Sequence, residues 1–524
     1  MKKFSKWYIL AIMFFLCLVI IPYTFSKYST TIRSTITLNA RQPEYDVVFY
    51  QLLPDEYQEV EYIGNSSYLY FDTLVKPTNT LKTEIEYVDT SATSSNYVFG
   101  SRTGSSGSVI HYGLAGGSAD LSIAPYYNTA TKQSFSVTRT LNERYHIIMD
   151  IEHDNELGYR MHSILNDLTI GYTEELYSEY SEGLSGNLPN IVLFAIKTAG
   201  GFNHSGMNLY KLKMWDNGEL IRNFIPCYRK SDNVIGLYDM VTKEFYTKNG
   251  DGSLSKGADV TNGYHEAKSQ HFVYGTAQNL TTNTYTKEGY TFNGWNTKPD
   301  GSGTSYVDGG LVNNLTSVEG GIVNLYSQWL KQYTVTFNAN GGTVDTASKV
   351  VTYTMPYDEL PTPTREGYTF KGWYNYTNAG SFTIAASNTG AATDNYKYHS
   401  IMTVQSGIKY TITMDSATVT DGTATQFSSI IYTNSAGTLV NVRTNFGTNL
   451  KYNITVPTTS STKYLYIYSG ITGSTRGIGT RFENVKVWTN NAEAITSDTN
   501  VYLPINHTLT AIWEPNTYTV TVGQ

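Results

Sequence analysis

Residues 287–296 read KEGYTFNGWN, and residues 365–374 read REGYTFKGWY. The match is not isolated. NLYSQW at 324–329 recurs as TLTAIW at 508–513, and YTVTF at 333–337 recurs as YTVTV at 518–522. Between the two copies, FNANGG at 337–342 supplies an Asn-Gly-Gly turn of the kind that joins neighbouring strands. Self-similarity in the same order marks a repeated structural unit. The Tyr and Trp of the GYTFxGW motif are expected to form its core. The spacing is unequal. Trp295 and Trp329 are 34 positions apart, whereas Trp373 and Trp513 are 140 apart, and the difference of 106 is an insertion in the second copy. The first copy lacks a clear YTVTFNANGG opening, and the third begins at Tyr518 and stops at Gln524.

These residues closely resemble the Listeria–Bacteroides repeat, the B-repeat of internalin-type surface proteins. The resemblance implies a small β-grasp-like unit and an envelope or secreted setting.

Composition agrees with an all-β chain. Of 524 residues, 45 are Tyr, and only 15% are charged, against about 25% in an ordinary soluble domain. Tyr and Thr suit a pleated, half-buried surface, and Gly and Asn suit turns. Aromatic residues at 14% can fill several cores, so the chain is not a disordered one. Net charge is −7, and no long basic run follows residue 6, which argues against nucleic acid as a partner. With Cys17 and Cys227 as its two cysteines, the chain has no disulfide framework.

Lys2, Lys3 and Lys6 precede an uncharged stretch, 7–26, with an apolar centre at 9–21. That order is the pattern of an export signal or membrane anchor. Twenty helical residues would cross the ~30 Å hydrocarbon layer, and the leading lysines would leave the bulk of the chain outside. Thr24 and Ser26 flank Phe25 and make a poor cleavage site, so retention as a single-pass anchor is expected.

From about residue 53 to 257, strand patterns dominate. In 208–215, Tyr210, Leu212 and Met214 are expected on one face and Lys211 and Lys213 on the other. Residues 144–151 and 190–196 read as more buried strands. LPDEYQEVEYI (53–63), YLYFDT (68–73), VFGSR (98–102), KMWDNGELIRNFIPCYRK (213–230) and VIGLYDMVTKEFYTKNGDGSLSKG (234–257) resemble a concanavalin/laminin-G-like sandwich module of Gram-positive bacteria and their phages. The resemblance implies a jelly-roll sandwich with a carbohydrate-binding-like surface. The insertion is also β-patterned: Tyr410, Ile412 and Met414 alternate with Thr411 and Thr413, Leu465 and Ile467 alternate with Tyr464, Tyr466 and Tyr468, and 482–488 reads as a closing strand. VQSGIKYTITMDS and GIGTRFENVKVW within it resemble a carbohydrate-binding jelly roll.

The expected fold is therefore all-β: a jelly-roll sandwich, β-grasp-like B-repeats with an inserted second jelly-roll sandwich, and one N-terminal hydrophobic helix. The expected organisation is a signal or transmembrane segment at 1–27, a stalk at 28–50 and the first sandwich at 51–257. B-repeat 1 follows at 262–330. B-repeat 2 is split into 331–375 and 491–514 around the inserted sandwich at 376–490, and a third repeat starts at 515–524.

Catalytic chemistry finds little support. Glycoside hydrolases of the laminarinase type carry an E-x-D-x-x-E strand, with two carboxylates flanking the glycosidic bond. Glu84, Glu86 and Asp89 come close, with Glu84 and Glu86 on one strand face, but Asp and Glu are exchanged relative to that pattern. A solvated strand face is the simpler account. His265-Glu266 opens like H-E-x-x-H, but Ser269 stands at the second histidine position. His146, His153 and His162 show no ligand spacing. Cys227 lacks a nucleophile signature and reads as a small buried hydrophobe. Gly341-Gly342 belongs to a turn rather than a phosphate loop. LPTPT at 360–364 is not a sorting motif of the LPxTG type.

No catalytic, cofactor or metal residue is assigned, and no individual ligand-binding residue. The surface Tyr and Trp set, with Tyr126, Tyr127 and Trp488 among it, is the candidate for binding. The expected function is a non-enzymatic, extracellularly exposed binding or adhesion protein of the cell envelope. It would take carbohydrate or cell-surface protein ligands and meet the membrane through its N-terminal segment. The alternatives are a polysaccharide-degrading enzyme and a purely structural stalk.

Overall fold

The computed structural model describes residues 42–65, 68–90, 96–102, 111–116, 120–124, 133–138, 140–154, 158–169, 171–180, 188–198, 201–204, 206–384, 397–421, 427–432, 439–445, 449–458, 463–469 and 479–520. The expected N-terminal helix lies outside them, as do Tyr126 and Tyr127. No helix of the described residues is long and apolar enough to cross a membrane. Their only helical element is a single 3-10 turn at Asn490–Ala492, and the rest of the regular structure is strand.

The repeats form one continuous sheet of eight strands: β1 (Glu44–Leu52), β2 (Tyr264–Val273), β3 (Tyr290–Asn296), β4 (Ser305–Tyr306), β5 (Gly321–Asn338), β6 (Ser348–Thr352), β7 (Tyr368–Tyr374) and β8 (His507–Pro515). The first repeat runs in the order β2-β1-β5-β3-β4, with β1 and β5 parallel. The second runs β6-β5-β8-β7, with β5 and β8 parallel. The 18-residue β5 serves both: its first half closes repeat 1, and its second half opens repeat 2.

Register shows that the two units are the same. Phe49 faces Leu325 across the parallel pair of repeat 1, and Phe337 faces Leu509 in repeat 2. Phe292 faces Trp329, and Phe370 faces Trp513. Each GYTFxGW strand bulges between its Phe and its Trp. The motif's second glycine sits there with φ +92° at Gly294 and +128° at Gly372, a region that L side chains rarely adopt. A Cβ at Gly294 would also lie 2.4 Å from the Tyr306 carbonyl oxygen. The bulge turns Trp295 and Trp373 into their cores, where each is 2% exposed.

The stretch expected as a stalk, 28–50, is therefore corrected: from Glu44 onward it is the opening strand of repeat 1. Tyr45, Val47 and Phe49 share one face of the strand and are buried with Phe272, Leu280, Trp295 and Leu325. Burial of that face fixes the strand, since a one-residue slip would turn all three outward. The missing opening of repeat 1 thus lies before the first sandwich, and that sandwich is inserted between β1 and β2.

The first sandwich has two sheets around one core. Leu81, Ile85, Tyr87, Ile147 and Leu212 come from one sheet, and Val98, Phe99 and Phe194 from the other side. The face expected for 208–215 is corrected at Tyr210. A register shift between Leu209 and Lys211 puts Leu209, Leu212 and Met214 inside and turns Tyr210 outward. There the Arg144 guanidinium lies 3.8 Å over its ring.

The second insertion also encloses one core between two sheets, with Tyr410, Ile412 and Met414 buried from one and Leu465 and Ile467 from the other. Its first strand, Tyr376–Ile384, and its last, Gly479–Trp488, are antiparallel neighbours.

Candidate functional site

The two catalytic-looking carboxylates are each bonded to basic side chains. Glu84 and Glu86 share the outer face of Leu81–Asp89. Glu84 Oε1 is 2.9 Å from His146 Nε2 and is also bonded by Lys211 Nζ, while Glu86 is paired with Arg144. Burial alone would raise the Glu84 carboxyl, but the hydrogen bonds from His146 and Lys211 outweigh it and hold it at about 2. Such a group has no proton to donate near neutral pH, which a glycosidase general acid must do.

The remaining sequence candidates are dispersed. His265 Nε2 stands 3.0 Å from Glu59 Oε2, and Glu266 accepts from Lys213 Nζ at 2.7 Å. His162 stacks on Tyr177 at 4.4 Å, and the His153 side chain lies outside the described residues. Among the described residues, no group of three His, Cys, Asp or Glu side chains is close enough together to hold a metal ion. Cys227 is fully buried, and burial pushes its thiol up to about 12, the state of an inert thiol. Trp488 is tied inward: its Nε1 donates to Thr413 Oγ1 at 2.6 Å, and the Tyr376 ring packs 4.6 Å away.

One cleft among the described residues lies where repeat 2 meets its inserted sandwich, and its volume is about 620 Å³. That is within the ~300–1,000 Å³ of small-molecule sites. β5 and β8 supply Asn338, His507 and Thr508 on one side, and the insertion supplies Tyr376, Asn378 and Gln405 on the other. No Asp, Glu, Lys or Arg lines it among the described residues; five asparagines and five threonines do, so its polarity comes from neutral amides and hydroxyls.

Local bonds hold the cleft's shape. Asn375 Nδ2 donates to the Thr508 carbonyl at 2.8 Å, and Thr489 Oγ1 donates to Asn375 Oδ1 at 2.8 Å. The Gln405 backbone N–H donates to the Tyr410 hydroxyl at 2.9 Å. Burial lowers the His507 pKa and favours the neutral ring. Nδ1–H of that ring then donates to the Ile505 carbonyl at 2.9 Å, and Nε2 accepts from the Tyr357 hydroxyl at 2.6 Å. The Asn378 and Asn506 oxygens accept backbone N–H groups of Gly380 and Thr334.

Sequence reasoning missed this cleft. In YNYTNAG at 374–380, residues 376–380 belong to the strand that supplies Tyr376 and Asn378. Its run of Asn, Tyr and Thr was the available signal.

Residues 258–317 and 333–395 match the family model of the Listeria-Bacteroides repeat domain, so both repeats are of that kind. The chain is 42% identical over 92 residues to a protein of Evansella cellulosilytica named as a Gly-rich membrane protein; the stretch is 17% of this chain and 10% of that one. It is 36% identical over 97 residues to Internalin H of Listeria monocytogenes, covering 18% of this chain and 16% of the relative. The chain thus matches a small part of each relative's length. Among solved structures, a scytalido-glutamic peptidase bound to a transition-state analog inhibitor aligns at 10% identity with a TM-score of 0.21. That alignment covers 34% of this chain and 92% of the peptidase.

Proposed function

We propose that this chain is an envelope-associated, extracellularly exposed binding protein that takes neutral carbohydrate in the cleft between repeat 2 and its inserted sandwich. The observation that supports this reading most is the lining of that cleft. Sugar hydroxyls both donate and accept, and neutral amides and hydroxyls match them without an ion to desolvate. The names of the two relatives, a membrane protein and an internalin, support the envelope setting. The lysine-flanked apolar stretch at 7–26 supports attachment through the N-terminus, with the rest of the chain outside.

The reading is non-catalytic. The Glu84 carboxyl, held at about 2, is unsuited to acid catalysis, which weighs against the polysaccharide-degrading alternative. A structural stalk is the second reading, favoured by β5, which joins the repeats without a linker. In the proposal the repeats are a rigid spacer and the cleft does the binding; a cell-surface protein is the alternative ligand class.

The test is a glycan array probed with the full chain. Retention on neutral oligosaccharides, with no products released from them, is the expected result. Retention on none would leave the stalk, and released products would restore the enzyme.

A further inference from the structure

Three reactive side chains meet where the first sandwich packs on repeat 1. Lys213 lies on the strand Met207–Asp216, Asn223 on its hairpin partner Glu219–Arg229, and Glu266 on β2 of the host repeat. We propose that Lys213 and Asn223 form a modification site, where their side chains join in an amide (isopeptide) bond with Glu266 as the proton carrier.

The backbone brings the two partners together. Lys213 and Asn223 stand directly opposite each other in the antiparallel register. Their side chains therefore leave the same face of the sheet, with Cβ atoms about 4.5–5.5 Å apart. Leu212 and Met214 point into the core, so that face is the one turned toward the repeat. The flexible four-carbon stem of a lysine is longer than the gap, and Nζ can fold back onto the amide of its neighbour.

Glu266 touches both. Its carboxylate accepts from Lys213 Nζ at 2.7 Å, and its backbone carbonyl accepts from Asn223 Nδ2 at 2.6 Å. The Asn223 backbone N–H donates to Asp239 Oδ1 at 2.8 Å, which fixes the residue from the other side. The site is nearly dry. Asn223 is 1% exposed, and the Lys213 and Glu266 side chains are 16% and 13% exposed. Ile225, Pro226 and Tyr264 line the same place. Water, the competing nucleophile, is kept from Asn223 Cγ, while an amine is held beside it.

The step balances without an added reagent. Lys213 Nζ passes a proton to the Glu266 carboxylate, and its lone pair attacks Asn223 Cγ. Asn223 Oδ1 is buried and accepts no hydrogen bond; the carboxyl proton of Glu266 is the donor it needs as charge develops on it. The Cγ–Nδ2 bond then breaks, and Nδ2 leaves as ammonium with two protons relayed from Nζ through Glu266. A lysine ammonium and an asparagine amide become one secondary amide and one ammonium ion, and Glu266 ends as the carboxylate it began as. Because Glu266 belongs to the host repeat, the bond forms only once the sandwich has folded and docked. The inference does not depend on the carbohydrate reading.

The experiment is a tryptic peptide map of the full chain by mass spectrometry. Residues 212–222 and 223–229, which trypsin separates after Arg222, should appear as one species, lighter than their sum by one ammonia and uncut after Lys213. Asn223→Ala and Glu266→Gln should each release the peptides and restore cleavage after Lys213. Lys211→Arg, which alters the neighbouring lysine paired with Glu84, should leave the joined species in place. The parent's map decides even where a variant fails to fold. Separate peptides from the parent, or a joined species that survives Asn223→Ala, would overturn the proposal. Survival in Glu266→Gln would overturn the role given to Glu266. Loss of ammonia within a single peptide, as a succinimide at Asn217-Gly218 would give, would also count against the bond.

Discussion

Leu52 and Tyr264 stand opposite each other as register partners at the end of the β1–β2 pair, although they are 212 positions apart in the chain. Tyr376 and Trp488 stand in the same relation at the base of the second insertion. Both sandwiches therefore leave and rejoin their host repeats at neighbouring points. A host strand pair can accept a folded insertion of this kind with little loop-closure cost, because the insertion's own fold holds its ends together.

Excision tests that arrangement. Replacing 53–263 by a short Gly-Asn turn should leave β1 and β2 paired, and replacing 377–487 by a similar turn should leave repeat 2 intact. Each shortened chain should keep a cooperative unfolding transition for its repeats by circular dichroism. Loss of that transition would show that sandwich and repeat are one cooperative unit.

Phe49→Ala should destabilise repeat 1 as Phe337→Ala destabilises repeat 2. Both rings are nearly fully buried, at 2% and 5% exposure, and truncation of a buried Phe costs about 3–5 kcal/mol. Differential scanning calorimetry should show the repeat transition falling while the first sandwich's transition stays in place. A Phe49→Ala chain that melts like the parent would return 44–50 to the role of a stalk.

The second repeat should weaken in mild acid. Burial lowers the His507 pKa below its ordinary 6.5, so the unfolded chain binds a proton more readily than the folded one. The resulting stability is fully present above about 6.5 and is lost as pH falls from there through the folded-state value. Melting of the repeat-2 transition at pH 7.5 and 5.0 should show this drop, and His507→Gln should flatten it. His399, whose pKa is also lowered by burial, remains in that variant as the internal comparison.

Glu84→Gln and Glu86→Gln should change melting and leave polysaccharide turnover at zero in every form. The depressed Glu84 carboxyl contributes stability above its ordinary value of about 4.5, and that contribution disappears as pH falls toward about 2. A reducing-end assay that finds turnover in the parent and none in either variant would contradict the non-enzyme reading.

The repeats were legible because their motif residues are local: aromatic spacing, a bulge glycine and a closing tryptophan all lie within one strand or its neighbour. Tyr45, Val47 and Phe49 repeat the pattern of Tyr333, Val335 and Phe337, but they escaped recognition because a whole sandwich separates them from the rest of their unit. Tyr210 was assigned to the wrong face because a β-bulge shifts the period by one residue, and a bulge leaves no alternation signal of its own. The cleft was not legible at all. Asn338, Asn378 and Gln405 come from three separate segments, and only the insertion's docking on repeat 2 brings them together.

The central claim is that neutral sugar binds between repeat 2 and its insertion. Its most direct test is calorimetric titration of an array-selected neutral oligosaccharide into the full chain and into an Asn378→Ala/Gln405→Ala double variant. Both side chains are at least partly exposed, so the variant should melt like the parent. The account predicts saturable binding to the parent and a loss of about tenfold or more in the variant, from two hydrogen-bonding groups removed. Equal affinity in a folded variant would contradict it.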